Sequence, residues 1–477
     1  MNTIVMSIVI VYLAAMLFIG WYASRKISTN EDFMVAGRRL GPLMVAGALA
    51  ATEIGGGSSL GVVEMAYGDW GMGAAWYVLT MAITFTILAF IGPKLRDALV
   101  KTVPEYFRRR YGEAPGTVTA IIMILPLIGL TAIQIMASSV VLSVMTGLTY
   151  TQAVLIVSVI VTIYSVMGGL WGVTITDFIQ MFLIIGGMAL AIPFTLNAVG
   201  GWGNVVAALP AEQLSFTGKI GWGTIIGLVV MYTASFAVGQ EAVARYYAAR
   251  DGKAAFWGSL LAAFANLIYA FIPTVLGLMA LAMVQNGMID ATAILEHGAR
   301  YALPTLAIQI MPPVLVGLLF AGIISATMSS ADSNLLGAGS IFANDIYKIY
   351  MKKSATDKQV LNVTRLTMVV IATLSTIVAL TSTQAIITVL MFSFTLRAGG
   401  SFIPYVVGHY WKKASWAGAM ASIVVGSIGV ILVEKNYVSF FGLNPIFLGL
   451  LSSALVFVLF SYLYPNKNNS TALADES

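Results

Sequence analysis

The sequence predicts an all-α polytopic membrane protein of about thirteen transmembrane helices, and three observations predict it. Of its 477 residues, 59% are hydrophobic and 9% charged, against about 25% charged in an ordinary soluble domain. Apolar stretches close to the roughly 20 residues a span needs recur from residues 4–21 through 446–464 with short polar breaks. The basic residues fall in clusters between these stretches.

In chain order the expected spans are 3–24, 41–68, 72–99, 116–146, 151–168, 173–199, 222–247, 255–284, 304–344, 363–382, 384–410, 414–434 and 443–464. The first runs into Arg25 and Lys26 without a basic leader or a small-residue cleavage site, so it reads as a retained span. With thirteen spans, the clusters at Arg25/Lys26/Arg38/Arg39, Lys94 to Arg110, Arg245 to Lys253, Lys348 to Lys358, Lys412/Lys413 and Lys467 share one side. The other side holds only Lys219, Arg300 and Lys435. By the positive-inside rule the N-terminus is outside the cell membrane and the C-terminus cytoplasmic. Twelve spans would scatter the clusters over both faces. Residues 1–464 read as a single transmembrane domain and the polar tail 465–477 as disordered.

Two spans carry chemistry. The second contains Ala51-Thr52-Glu53-Ile54-Gly55-Gly56-Gly57-Ser58-Ser59, and three consecutive poor helix formers predict a break. A broken helix frees carbonyls at membrane depth, where transporters use them to bind ions. The glycines equally suit close packing of another helix. The ninth span sets Ser325, Thr327, Ser329, Ser330, Asp332, Ser333 and Asn334 in an apolar run. These are hard oxygen ligands of the kind alkali cations take, or hydroxyls bonded to their own helix. Glu53, Glu64, Asp177, Asp332, Glu241 and Arg397 also fall within spans. Unpaired at mid-membrane the six would cost roughly 15–20 kcal/mol on the insertion scale, so they must be paired, hydrated or coordinating.

These residues carry a family resemblance. Ala-Thr-Glu-Ile-Gly-Gly-Gly at 51–57, Met167-Gly168-Gly169-Leu170 followed by Thr176-Asp177-Phe178-Ile179-Gln180, and Met328-Ser329-Ser330-Ala331-Asp332-Ser333 leading to Asp345-Ile346-Tyr347-Lys348 resemble the sodium/solute symporter family over nearly the whole chain. The motifs look nearest to its choline-transporter branch, although Glu53 stands where that branch has tryptophan and no aromatic precedes Gln240. The resemblance implies a leucine-transporter-like fold: a five-plus-five inverted repeat, about 41–199 and 222–410, with one N-terminal and two C-terminal extra helices. It implies sodium, the coupling ion, on the carbonyls of Ala51, Ile54 and Ala326 and the hydroxyls of Ser329 and Ser330. A second sodium, or a sodium exit path, would involve Asp177, Asp332 and Ser333 together with Ser329; Asp177 equally suits the N-terminal end of its helix.

The fold implies a substrate midway through the membrane, near Glu53, Ser58, Gln134, Gln240, Glu241 and Arg397. Glu53 suits an ammonium and Arg397 a carboxylate, which favours an amine-bearing or zwitterionic solute; a Glu53–Arg397 pair acting as a gate would suit a neutral one. Tyr67, Trp76 and Tyr232 are candidate apolar walls. His297 and His409 match no metal spacing. The chain has no cysteine, no metalloprotease motif and no phosphate loop, which leaves an enzyme, an organic cofactor, nucleic acid or an obligatory protein partner without support. The function expected is sodium-coupled symport of a small organic solute. Proton coupling through Glu53, Asp177 and Asp332, or a monocarboxylate substrate, stands as the alternative.

Overall fold

The computed structural model describes residues 3–25, 30–217, 219–382, 384–435, 437–438 and 444–466, and these contain helices and no strand beyond one isolated bridge, Leu40 to Ala249. The expected tail lies outside the described residues past 466. The chain runs α1 (Thr3–Ser24), α2 (Pro42–Glu53, continuing as Gly57–Tyr67 after a break), α3 (Gly71–Asp97), α4 (Glu113–Thr146), α5 (Tyr150–Met167), α6 (Gly172–Ala198) and α7 (Gly221–Val238). It continues with α8 (Gly252–Gln285), α9 (Pro313–Met351), α10 (Asp357–Thr381), α11 (Ile386–His409), α12 (Trp416–Glu434) and α13 (Pro445–Leu463).

Among the described residues, eleven helices are long and apolar enough to cross a membrane, or twelve with the bent α2 counted as one span. α1, a helix over Thr3–Ser24, ranks over Thr3–Ile19 with the shorter apolar helices and is not one of the eleven.

Local chemistry sets several boundaries. Thr149 with Gln152 and Thr356 with Gln359 form reciprocal capping boxes that start α5 and α10, so α10 begins six residues before the expected 363. α9 starts at Pro313 because Pro312 holds an extended backbone ahead of it, and the expected start of this span at 304 falls instead in a separate short helix, Ala302–Ile310. Gly169 adopts φ 52° between α5 and α6, and a Cβ there would lie 2.4 Å from Phe33. Neither the short basic helix Val103–Tyr111 nor the short helix Gln240–Ala248 is visible in the apolar pattern.

α9 is the centre of the bundle, 83% buried over its apolar window against 28% for α13. It packs on α4, α1 and the α5–α6 pair, while α8 packs on α3 and the first half of α2. α12 and α13 pack on each other and on α11. The break in α2 therefore faces the hydroxyl-rich middle of α9.

Candidate functional site

The two halves of α2 meet at an angle of 59°. Ile54 leaves the helical region at φ −73°, ψ 76°, and the Gly55 amide turns back to the Glu53 carbonyl at 2.7 Å. The next amide, Gly56, donates to Gln134 Oε1 of α4 at 2.7 Å. The carbonyls of Ala51 and Thr52 thereby lose the amides that a continuous helix would supply. α9 meets them instead: Ser330 Oγ donates to Thr52 O at 2.9 Å, with Ala51 O 3.5 Å away, and Ser329 Oγ lies 3.1 Å from Ala51 O. Both sequence readings of the glycines hold, because a Cβ at Gly55, Gly56 or Gly57 would lie 2.4 to 2.6 Å from a neighbouring side chain.

The structure thus brings together Ala51, Ser329 and Ser330, with Ile54 at the break and Ala326 one turn before Ser330. Carbonyl and hydroxyl oxygens are hard ligands of the kind a hard cation takes, and near neutral pH the hydroxyls do not ionise.

Asp177 lies inside α6, fully buried. Its Oδ1 accepts from Ser329 Oγ and its Oδ2 from Arg245 Nη2 at 3.2 Å, so it reaches across to α9 rather than ending its own helix, and the helix-end reading is corrected. Ser333 Oγ donates to the Ser329 carbonyl at 2.8 Å and accepts from Arg245. Asp332 Oδ1 is 3.4 Å from Ser333 Oγ, while its buried Oδ2 has no hydrogen-bond partner among the described residues. Arg245 is missing from the sequence-derived residues; it counted as a loop charge, yet it is 1% exposed.

A narrow cavity adjoins the break, lined by Glu53, Gln134 and Glu241 among polar groups and by Tyr77, Phe236, Phe394, Leu130 and Leu390. It has room for about one water, so the helices are drawn in around it. Ser58 Oγ lies 2.8 Å from both Glu53 O and Glu53 Oε1, and Glu53 Oε2 is buried without a hydrogen-bond partner among the described residues.

Two expectations are corrected. Arg397 does not pair with Glu53: its Nη1 is 2.6 and 2.8 Å from the two oxygens of Glu241, its Nε donates to Ser235 Oγ at 2.6 Å, and its guanidinium carbon lies 4.9 Å from the Phe394 ring centre. Gln240 lies outside the cavity lining and clasps residues 101–103 instead, accepting from Val103 N at 2.9 Å and donating to Lys101 O at 3.0 Å. Trp76 packs against Phe216 with the rings tilted at 44°, and Tyr232 sits edge-on to Tyr77, whose ring lines the cavity. No cluster of metal-ligating His, Asp or Glu occurs among the described residues.

Comparison with known proteins gives the family and the fold. Residues 33–426 match the model of the "Sodium:solute symporter family". The chain is 25% identical to the osmoregulated proline transporter of Bacillus subtilis, covering 88% of this chain and 87% of that protein. It is 26% identical to the sodium/pantothenate symporter of Haemophilus influenzae (92% and 91%) and 28% identical to the human high affinity choline transporter 1 (78% and 67%). The fold superposes on a Na⁺-coupled sialic acid symporter solved substrate-bound and outward-open, with a TM-score of 0.84 at 23% identity over 98% of this chain and all of the other. With a multi-pass helical bundle, a broken α2 and a family match over most of its length, this chain belongs to the sodium:solute symporter family of secondary transporters.

Proposed function

We propose that this protein couples the sodium gradient to uptake of a small amine-bearing solute by alternating access. The observation that carries the reading is the contact of Ser329 and Ser330 with the freed carbonyls of Ala51 and Thr52. A sodium ion there, on Ala51, Ile54, Ala326, Ser329 and Ser330, draws the two halves of α2 onto α9 and completes the cavity wall at Glu53. The repeats, about 41–199 and 222–410, then move against each other, with α1 as a thirteenth span, the N-terminus outside and the C-terminus cytoplasmic. The membrane potential adds about 2.3 kcal/mol per 100 mV for each charge moved inward.

The solute class follows from charge. Arg397 is already neutralised by Glu241, so a substrate carboxylate has to displace that pair, whereas Glu53 presents a free buried oxygen beside the cavity. An ammonium satisfies Glu53 directly, and Tyr77, Phe236 and Phe394 face its apolar part. The relatives' named substrates, proline, choline and pantothenate, span cationic, zwitterionic and anionic solutes and leave this choice to the cavity. Proton coupling is the second reading, favoured by the unpartnered oxygens of Glu53 and Asp332.

The test is current from proteoliposomes on rapid solution exchange, with sodium or potassium, against amines, amino acids, betaines, monocarboxylates and sugars. A sodium-dependent current with amines is expected, and Glu53→Gln should abolish the preference for them. Currents that follow pH and ignore sodium would transfer the coupling role to Glu53, Asp177 and Asp332.

A further inference from the structure

The residues that the resemblance assigns to a second sodium are Asp177, Ser329, Asp332 and Ser333, and the chain has placed a cation of its own among them. Arg245 lies on Gln240–Ala248, the short helix that turns inward after α7, and is 1% exposed. Its Nη2 donates both to Asp177 Oδ2 and to Ser333 Oγ, and its Nη1 donates to the Glu241 carbonyl in its own helix. The other Asp177 oxygen is taken by Ser329, and the Ser333 hydroxyl is held between Arg245 and the Ser329 carbonyl. Two of the four residues are thus in direct contact with the guanidinium, and a third is bonded to the same carboxylate.

A guanidinium carries the same unit charge as sodium, and in a protein it does not deprotonate. Its planar fork satisfies two acceptors at once, which a monovalent ion on these oxygens would also do. A mobile cation drawn to Asp177 Oδ2 and Ser333 Oγ would sit against this fixed charge, in a buried setting where repulsion between like charges is strong.

We propose that Arg245 is a tethered substitute for a second coupling ion, so that one sodium, the one at Ala51, Ser329 and Ser330, moves with each solute. This rests on the sodium-symport reading above. A tethered charge stays behind when solute and sodium leave, so each cycle transfers one ionic charge fewer than a two-sodium cycle. The rival account is that Arg245 balances the extra carboxylate of Asp332 and leaves Asp177 to sodium. The contacts favour the first, because the ion pair of Arg245 within 4.0 Å is with Asp177.

The test uses the purified full chain in detergent and radioactive sodium alone, without solute. The wild type should bind one sodium per chain with a Hill coefficient of one, and R245K, which keeps the charge, should do the same. R245Q should bind two with a Hill coefficient above one; R245Q/S330A should retain a single ion, which the further change D177N removes. Two sodium ions on the wild type, or a single one on a folded R245Q, would overturn the proposal. If R245Q does not survive purification, the wild-type count still decides, since two ions refute it. A wild type that binds no sodium at all sinks the symport reading instead.

Discussion

A single methyl group placed at Gly55 tests the geometry of the α2 break. The added Cβ would lie 2.4 Å from Ser330 Oγ, 2.8 Å from Gln134 Oε1 and 3.0 Å from Ser330 Cβ, distances that cannot persist. Something must move, and both candidates hold the break together. Ser330 is bonded to the Thr52 carbonyl, and Gln134 holds the Gly56 amide. Overpacking of this kind costs about 1–3 kcal/mol, and leaving the Gly56 amide buried without its partner costs a similar amount. Expressed at the proposed sodium site, where about 1.4 kcal/mol is tenfold, Gly55→Ala should weaken sodium binding by roughly tenfold to a few hundredfold. The control is Gly61→Ala in the second half of α2, where a Cβ meets Ile386 at 3.6 Å, an ordinary contact; its sodium affinity should stay near wild type. Sodium-dependent thermal stabilisation of the purified variants reads both. A folded Gly55→Ala protein with unchanged sodium affinity would refute the argument, as would an equal loss in Gly61→Ala.

Removing either partner of the buried Arg397–Glu241 pair should cost about 3–5 kcal/mol by leaving the other charge uncompensated, whereas E241Q/R397Q should cost clearly less than the sum of the single changes. Additive losses in melting temperature around that cycle would show that the pair is not coupled. On the basic side, Thr102 Oγ1 and Arg108 Nη2 both lie 2.6 Å from the buried carboxylate of Asp345, tying the short helix Val103–Tyr111 to the end of α9. Asp345→Asn should loosen that helix, at about 1.5–3 kcal/mol for each charge-assisted bond lost, and hydrogen exchange confined to 103–111 should rise; unchanged exchange there would count against the latch.

What was legible in the sequence is what local composition controls. The bend of α2 falls at residues 54–56, where the run of poor helix formers Gly55–Gly57 begins, and α9 stands out because its hydroxyls are joined by a carboxylate, Asp332, within one apolar span. Pairings between distant segments were not legible. Arg397 and Glu241 are 156 residues apart, and nothing in either segment tells Arg397 to choose Glu241 over Glu53. Arg245 was hidden for a different reason. Charge counting assigns a basic residue near a span end to the loop, but Gly239 adopts an extended backbone, φ −68°, ψ 118°, and the short helix that follows carries the arginine inside. Gln240 was misplaced by the same turn. The start of α10 is readable from Thr356 and Gln359, a Thr-x-x-Gln capping signature that lies ahead of the apolar run.

Ser329 joins the parts of the site through one proton. Its Oγ faces the Ala51 carbonyl on α2 at 3.1 Å and the carboxylate of Asp177 on α6, yet a hydroxyl has one hydrogen to donate. A cation bound by Ala51 O and Ser329 Oγ needs the oxygen lone pairs, so the hydrogen must point away from it, and Asp177 is the acceptor on that side. Asp177 therefore orients the ligand without having to touch the ion, while Arg245 holds Asp177 in place from its other oxygen. On this argument Asp177→Ala frees the Ser329 hydrogen to turn toward Ala51 and should raise the sodium concentration for half-maximal transport about tenfold, the worth of a charge-assisted hydrogen bond, with maximal rate at saturating sodium less affected. Asp177→Asn, whose amide oxygen still accepts, should fall between the two. A sodium dependence unchanged in Asp177→Ala would remove the residue from both the binding and the orienting role, and would leave its contact with Ser329 a matter of packing between α6 and α9.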